Sequence, residues 1–283
     1  MILLTGSSGF IGTNIIKYFV KKKIKFHAVD LKKNNYLYIK NFTRLDLSNK
    51  NKVEKLFKKI KPKLIIHLAA ISGVNSCNDN INGAFKSNIQ ATFNILSNSN
   101  KFNCKKVLLA SSQAAENFNF APSVYAFTKK TCEDMAKSFK INFKFNIAIL
   151  RFSNVYGPYS THKSSAIHQI FKCLNMNKIF MIHGNGKQLR DFIYVENLIK
   201  KVIKITQKKY FNGVYNINTR KKNSLNYIIK TISNFSKKKL KVKNIKAPLG
   251  YDVSFSDNFK EKKNLNLNLN LKTTFNWYNS LKK

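Results

Sequence analysis

Ile2-Leu3-Leu4-Thr5-Gly6-Ser7-Ser8-Gly9-Phe10-Ile11-Gly12 is an apolar run that breaks into three glycines spaced three apart and then continues as helix-like sequence. The pattern predicts a strand, a tight turn and the start of a helix. Gly6 lets the chain turn sharply off the strand, Gly9 lets backbone N–H groups approach a pyrophosphate, and Gly12 lets the following helix pack closely on the sheet. Ser8, Phe10 and Ile11 complete the cradle, and the helix N-terminus faces the phosphates. An ordinary strand-to-helix turn can carry the same triplet. The flanks favour the dinucleotide. Ile15, Ile16, Phe19 and Val20 continue at helical spacing, Lys21-Lys22-Lys23 closes the helix at its negative end, and Ile24 to Val29 reads as a second strand ending on Asp30.

Glycine pattern and distance to the acid together resemble the extended short-chain dehydrogenase/reductase family, whose members include nucleotide-sugar epimerases and dehydratases. The resemblance implies an α/β fold: a doubly wound parallel Rossmann-type sheet with a smaller α/β substrate-binding lobe. It assigns Asp30 to the adenosine ribose and implies NAD as cofactor, because a carboxylate repels a 2′-phosphate. Lys32 and Lys33 leave NADP open.

A chain of 283 residues can bury a full core. The net charge of +40 comes from 52 Lys and Arg against 12 acidic residues, yet arginine occurs only at Arg44, Arg151, Arg190 and Arg220. The excess is therefore lysine, dispersed over many helix faces without a platform of interleaved aromatics, which argues against a dedicated nucleic-acid surface. Cys77, Cys104, Cys132 and Cys173 have neither metal spacing nor a paired framework. They read as reduced thiols of a cytoplasmic protein, and no metal is expected. No apolar run approaches the ~20 residues of a membrane span, and none reads as a signal peptide.

Further along, Thr43-Arg44-Leu45-Asp46-Leu47 resembles the family's third strand and the acid beside the adenine, which makes Asp46 and Leu47 candidate adenine contacts; an acidic turn residue without a ligand is the alternative. An amphipathic helix from about Lys52 to Lys61 stops at Pro62. Leu64-Ile65-Ile66-His67-Leu68-Ala69-Ala70 then reads as a buried parallel strand whose end, Leu68 to Ala70, admits a cofactor. His67 reads as a packed or hydrogen-bonded histidine, since no acid or metal ligand is spaced to use it. Phe85 to Leu96 resembles the family's long fourth helix, where an asparagine, here Asn88, interrupts regular bonding and orders water. Lys105 to Ala110 and Phe145 to Leu150 are expected strands ending at Ser111-Ser112 and Arg151-Phe152, with Phe152 beside the cofactor.

The pattern changes beyond Pro158: a helix from about Ser164 to Asn175, a strand Ile179 to Ile182, a turn His183 to Gly186, then Arg190-Asp-Phe-Ile-Tyr-Val195. The expected division is a nucleotide-binding domain of 1–155 plus about 191–218 and a substrate lobe of 156–190 plus 219–283. In the tail, Leu265 to Leu271 alternates with asparagine at period two, which reads as low-complexity drift or a short edge strand.

Tyr125-Ala-Phe-Thr-Lys129 sets a phenol and an ammonium four residues apart on one helix face. Any lysine-rich helix can contain this pair, but Ser112 precedes it by thirteen residues, within the spacing the family uses. The resemblance therefore implies Ser112, Tyr125 and Lys129 as a catalytic set. A phenol of pKa ~10 needs nearby positive charge to serve as a base at neutral pH, and Lys129 with oxidised nicotinamide would supply it. Tyr125 and Lys129 would also contact the cofactor. Asn154 and Arg190 match family positions that contact a substrate diphosphate, a task an arginine fork suits; a surface ion pair of Arg190 with Asp191 is the structural alternative.

Departures narrow the reading. After the serine the family commonly runs into Val-Tyr-Gly, whereas Gln113-Ala-Ala-Glu116-Asn117 stands here. The dehydratase branch places Asp-Glu directly after its hydroxyl residue, where this chain has Gln113 and Ala114. An arginine often present in the tail is replaced around Leu249-Gly250-Tyr251-Asp252. The expectation is an NAD-dependent epimerase acting at C4 of a UDP-hexose, a homodimer, in cell-envelope or polysaccharide precursor synthesis. Alternatives are a nucleotide-sugar dehydrogenase, reductase or 4,6-dehydratase, a cofactor-binding scaffold without turnover, and a nucleic-acid-binding protein on the same fold.

Overall fold

Short, nearly continuous apolar runs bounded by glycine, lysine or asparagine turns become the strands of a parallel sheet, because strands covered on both faces gain most from unbroken apolarity. The structure is a computed structural model that describes residues 1–246 and 266–281. In chain order the first elements are β1 (Ile2–Thr5), α1 (Phe10–Lys21), β2 (Phe26–Asp30), β3 (Phe42–Arg44), α2 (Lys50–Ile60), β4 (Leu64–His67), α3 (Val74–Asn78) and α4 (Ile81–Ala84). A π-helical turn, Phe85–Gln90, leads into α5 (Ala91–Lys101), followed by β5 (Lys106–Ser112), α6 (Gln113–Glu116), α7 (Val124–Phe143) and β6 (Asn146–Phe152). The remainder comprises β7 (Asn154–Tyr156), α8 (Ala166–Met176), β8 (Phe180–His183), β9 (Leu189–Tyr194), α9 (Val195–Thr206), β10 (Gly213–Ile217), β11 (Lys222–Ser224), α10 (Leu225–Ser236), β12 (Val242–Ile245) and α11 (Leu267–Ser280).

The chain divides into two compact units: Met1–Phe152 with Ile199–Ile217, and Ser153–Leu198 with Asn218–Lys283. The first is a seven-stranded sheet in the order β10-β6-β5-β4-β1-β2-β3, parallel throughout. The order reverses beside β1, and in such sheets ligands bind outside the carboxyl ends of the strands at that reversal. Leu3, Val29, Ile65, Val107 and Ile147 from five strands pack with Phe57, Ile95 and Ala136 from the helices into one core. This is the doubly wound α/β sheet expected from the sequence.

The second unit holds a three-stranded sheet, β11-β9-β7, and a parallel pair, β12 with β8. Its core gathers Phe171 and Leu174 of α8, Ile228 and Ile232 of α10, and Leu271, Phe275 and Tyr278 of α11. The Leu-Asn alternation is accordingly neither drift nor an edge strand where it is described. Leu267 and Leu271, one helical turn apart, are buried while Leu269 is 65 % exposed, so tertiary burial selects the helical period over the local period of two. The substituted tail arginine lies outside the described residues. Among the described residues no helix is long and apolar enough to cross a membrane.

Candidate active site

The turn after β1 has no room for side chains. Gly6 adopts φ +65°, and a Cβ there would lie 2.6 Å from Ala69 N; a Cβ on Gly12 would lie 2.2 Å from Gly6 O. Gly9 is the N-cap of α1 and offers no side-chain cap, and no acid sits in the first turn. The positive end of the α1 dipole thus faces the turn with no side chain capping it, an arrangement that favours an anion. Asp30 closes the turn from β2: one carboxylate oxygen accepts Ser8 N–H at 2.9 Å and the other accepts Lys32 N–H at 3.3 Å. These features fit a dinucleotide: a cradle closed to Cβ atoms, an uncapped helix end and a carboxylate for the ribose. Asp46 also receives a backbone donor, Ser48 N at 2.8 Å, which makes it a turn-closing acid, with Leu47 buried beside it.

His67, at the end of β4, is a structural tie. Thr92 Oγ1 donates to Asn88 O at 2.6 Å, so it receives a proton from His67 Nε2 at 3.1 Å; Thr5 Oγ1 then donates to Nδ1 at 2.7 Å. These partners assign the neutral Nε2–H tautomer. Burial, helped by the Lys129 cation, holds its pKa down at about 3. Leu68 N–H donates to Thr5 O and Ala69 N–H to Thr5 Oγ1, so the strand end carrying Leu68, Ala69 and Ala70 is fixed to β1.

Asn88 lies within the π-helical turn, where the i→i+5 pattern frees backbone groups. Its side chain accepts from Ile71 N at 2.8 Å and donates to Ile71 O at 3.1 Å and Thr128 Oγ1 at 2.9 Å. The interrupted helix agrees with the sequence reading, but the amide is spent on protein partners that brace the loop after β4 against α7.

Ser112 ends β5 and caps α6: its Oγ accepts Ala114 N–H at 3.2 Å. With that lone pair used, the hydroxyl proton is free to approach the Tyr125 phenol, and this contact draws the phenol's pKa downward. Desolvation dominates nonetheless and pushes Tyr125 up to about 12. Lys129, only 6 % exposed, donates from Nζ to Ala110 O at 3.0 Å. Burial lowers its pKa, opposed by Cys132, Cys77 and Glu133. The set therefore assembles around the end of β5 and the first turns of α7, with the ammonium held by a carbonyl of β5. Phe152 ends β6, in register with Ser112.

In the second unit, Asn154 Nδ2 donates to Asp191 O at 3.1 Å and Arg190 Nη1 donates to Leu189 O at 2.9 Å. The Asp191 carboxylate gathers Ser153 Oγ, Thr219 N and Oγ1, and Lys221 N, so it organises the strand ends β7, β9 and β11.

A buried ion network escaped sequence reading. Glu133, with a fully buried side chain, accepts Ser111 Oγ at 2.5 Å and takes Arg151 on both oxygens, at 2.9 and 2.8 Å. Arg151 also pairs with Glu116 at 2.9 Å. The signal available was the repeat of four, Tyr125, Lys129, Glu133, which sets all three along one face of α7.

The glycine turn, uncapped α1 and the Asp30 carboxylate at the end of β2 define a nucleotide-binding α/β protein with a Ser-Tyr-Lys set at the strand ends. A family model matches residues 2–218, and the chain belongs to the NAD dependent epimerase/dehydratase family. The UDP-glucuronate 4-epimerase of Thermodesulfobacterium geofontis is 27 % identical, over 97 % of this chain and 95 % of its own. Among solved structures, a UDP-N-acetylglucosamine 4-epimerase from Methanobrevibacter ruminantium is 26 % identical with a TM-score of 0.86, covering 99 % of this chain and 98 % of that one. A UDP-glucose 4-epimerase from Thermotoga maritima, 22 % identical, shares the fold with a TM-score of 0.88, covering 100 % and 99 %. NAD is the cofactor of this enzyme family, and the glycine cradle and Asp30 fit it.

Proposed function

We propose that the chain is a nucleotide-sugar epimerase that inverts C4 of a UDP-hexose. The observation carrying this reading is the Ser112 hydroxyl at the Tyr125 phenol, with the Lys129 ammonium buried one turn along the same helix. In this reading Tyr125 takes the proton of the 4-hydroxyl, Ser112 holds that oxygen, and Lys129 anchors the ribose hydroxyls of the cofactor. When bound, NAD supplies a hydride acceptor for C4 that is regenerated within one turnover. Asn154 and Arg190 hold the diphosphate while the 4-keto sugar turns over to present its other face. A phenol at about 12 is ionised to only about one part in 10⁵ at pH 7. Each unit of lowering corresponds to ~1.4 kcal/mol, and the Lys129 charge together with a cationic nicotinamide is the source available.

The names of the Thermodesulfobacterium and Methanobrevibacter proteins support a UDP-sugar and chemistry at C4. Dehydration is disfavoured because Gln113 and Ala114 provide no acid after Ser112 and because the Glu116 carboxylate is engaged by Arg151. The exposed rings Phe85, Phe93 and Phe127, with Phe85 stacked on Phe127 at 5.8 Å, support a homodimer through these helices. The free thiols support a cytoplasmic setting, where sugar-nucleotide precursors of envelope polysaccharides are made.

The deciding experiment incubates the purified protein with NAD and UDP-glucose, UDP-glucuronate and UDP-N-acetylglucosamine, following products by proton NMR and the cofactor at 340 nm. A new C4 epimer without lasting absorbance supports the reading. Accumulating NADH would replace it with a dehydrogenase.

A further inference from the structure

We propose that Glu116 is a positioning residue of this enzyme: its ion pair with Arg151 holds the turn that aims the Ser112 hydroxyl at Tyr125. The inference rests on the epimerase reading for its kinetic part and on geometry alone for its structural part.

The connections form a closed circuit within the first unit. Ser112 ends β5 and caps α6, the four-residue turn Gln113–Glu116. At the far end of that turn the Glu116 carboxylate meets Arg151 Nη1 at 2.9 Å. Arg151 stands on β6 as the register partner of Ser111, and its other edge forks onto Glu133 through Nε and Nη2. Glu133 lies two turns beyond Tyr125 on α7, and Tyr125 meets Ser112 to close the ring. Every link but one is shielded: the side chains of Glu133 and Arg151 are 0 % and 15 % exposed, and that of Glu116 is 42 % exposed.

Two consequences follow from this arrangement. Arg151 keeps its fork on Glu133 whether or not Glu116 is present, so removing Glu116 opens the ring without stranding a buried charge. Opening it loosens α6, a turn too short to hold its own geometry and otherwise tied by the Ser112 cap, the Asn117 bonds to Gln113 O and the buried Ala115. The departure Gln113-Ala-Ala-Glu116-Asn117 thereby acquires a role: Glu116 anchors the turn, and Asn117 closes it by donating to Gln113 O at 2.9 Å.

The variants are Glu116→Ala, which opens the ring, and Glu116→Gln, which keeps an acceptor for Arg151. Backbone hydrogen exchange is read over 113–117 with NAD present, and kcat, KM and the pH profile are read with the hexose that the wild type turns over. Tyr125 is faced by Ser112 from β5 and Cys77 from α3, with Lys129 one turn along α7. Loosening Ser112 therefore raises the acid limb of the profile. Expected for Glu116→Ala are exchange at 113–117 faster by about tenfold, kcat lower by about tenfold with KM within about threefold, and an acid limb raised by about half a pH unit. Glu116→Gln should recover most of each. Unchanged exchange in Glu116→Ala overturns the proposal, as does faster exchange with wild-type kcat and pH profile. A wild type inert toward every hexose while Glu116→Ala shows faster exchange counts against the epimerase reading and leaves the mechanical link supported.

Discussion

Lys129 sits one helical turn beyond Tyr125, yet its ammonium donates to the Ala110 carbonyl at 3.0 Å, tying the cation to the end of β5. A buried ammonium with one protein acceptor retains two donors. Those donors are what ribose hydroxyls would engage, and the single tether keeps the cation from drifting out of the site.

Lys129→Met should separate catalysis from stability. The variant loses one hydrogen bond, worth about 1 kcal/mol, but also removes a desolvated charge, so its melting temperature should stay within a few degrees. Turnover should fall by about 10²-fold or more. A thermal melt beside a kcat measurement checks both; a large fall in melting temperature with proportionate loss of activity would assign Lys129 to the fold.

Tyr125→Phe keeps the ring and removes the hydroxyl that Ser112 faces. Epimerisation measured by NMR should drop by about 10²- to 10⁴-fold. NAD affinity by calorimetry should change by less than about tenfold, since the glycine cradle and Asp30 are untouched. Substantial turnover in a folded variant would move the base elsewhere.

The glycines should respond unequally to alanine. At Gly12 the new Cβ would meet Gly6 O at 2.2 Å and Ser7 Cα at 2.8 Å, all backbone, so the helix must shift and the protein should lose several kcal/mol or fail to fold. At Gly9 the nearest atom is Gly6 O at 3.3 Å, so the fold should persist while the methyl group crowds the phosphates. Calorimetric NAD titration of Gly9→Ala, expected weaker by about tenfold or more, is the clean measurement.

Acid should destabilise the protein through its buried histidines. His67 and His168 are both held near about 3 by burial, against 6.5 when unfolded. The unfolded chain therefore binds more protons throughout that window, and stability is full above pH 6.5 and falls as pH drops towards 3. The slope is on the order of 1 kcal/mol per pH unit for each residue. Denaturant unfolding at stepped pH should show it, and His67→Gln should remove one share; an unchanged slope in that variant would deny His67 its part.

What was readable in the sequence had a local cause. The strands β1, β2, β4, β5 and β6 are continuous apolar runs, and the glycine turn and the four-residue step from Tyr125 to Lys129 are set by neighbours in the chain. What escaped reading depended on distant partners. Arg151 meets residues 18 and 35 positions away, and no periodicity announces such a pairing. Asn88 reads as a break in the helix and lies in the π-helical turn, but its partners, Ile71 and Thr128, are 17 and 40 positions distant. The Leu-Asn tail misled for the opposite reason: its local pattern is clear, but Leu271, Phe275 and Tyr278 are claimed by a core formed elsewhere in the chain.

That last core sets an order on biosynthesis. The seven-stranded sheet has all its strands by Ile217, whereas Phe171 waits for Phe275 and Tyr278, whose rings lie 5.9 and 5.5 Å from it. Domains fold as units while the ribosome is still adding residues. A nascent chain halted before Leu267 would carry a finished nucleotide-binding sheet and, in its second unit, Phe171, Ile228 and Ile232 without the α11 side chains that pack against them. Chaperones and proteases act on such exposed apolar side chains, so a chain that stops short of α11 should be cleared faster than the full one.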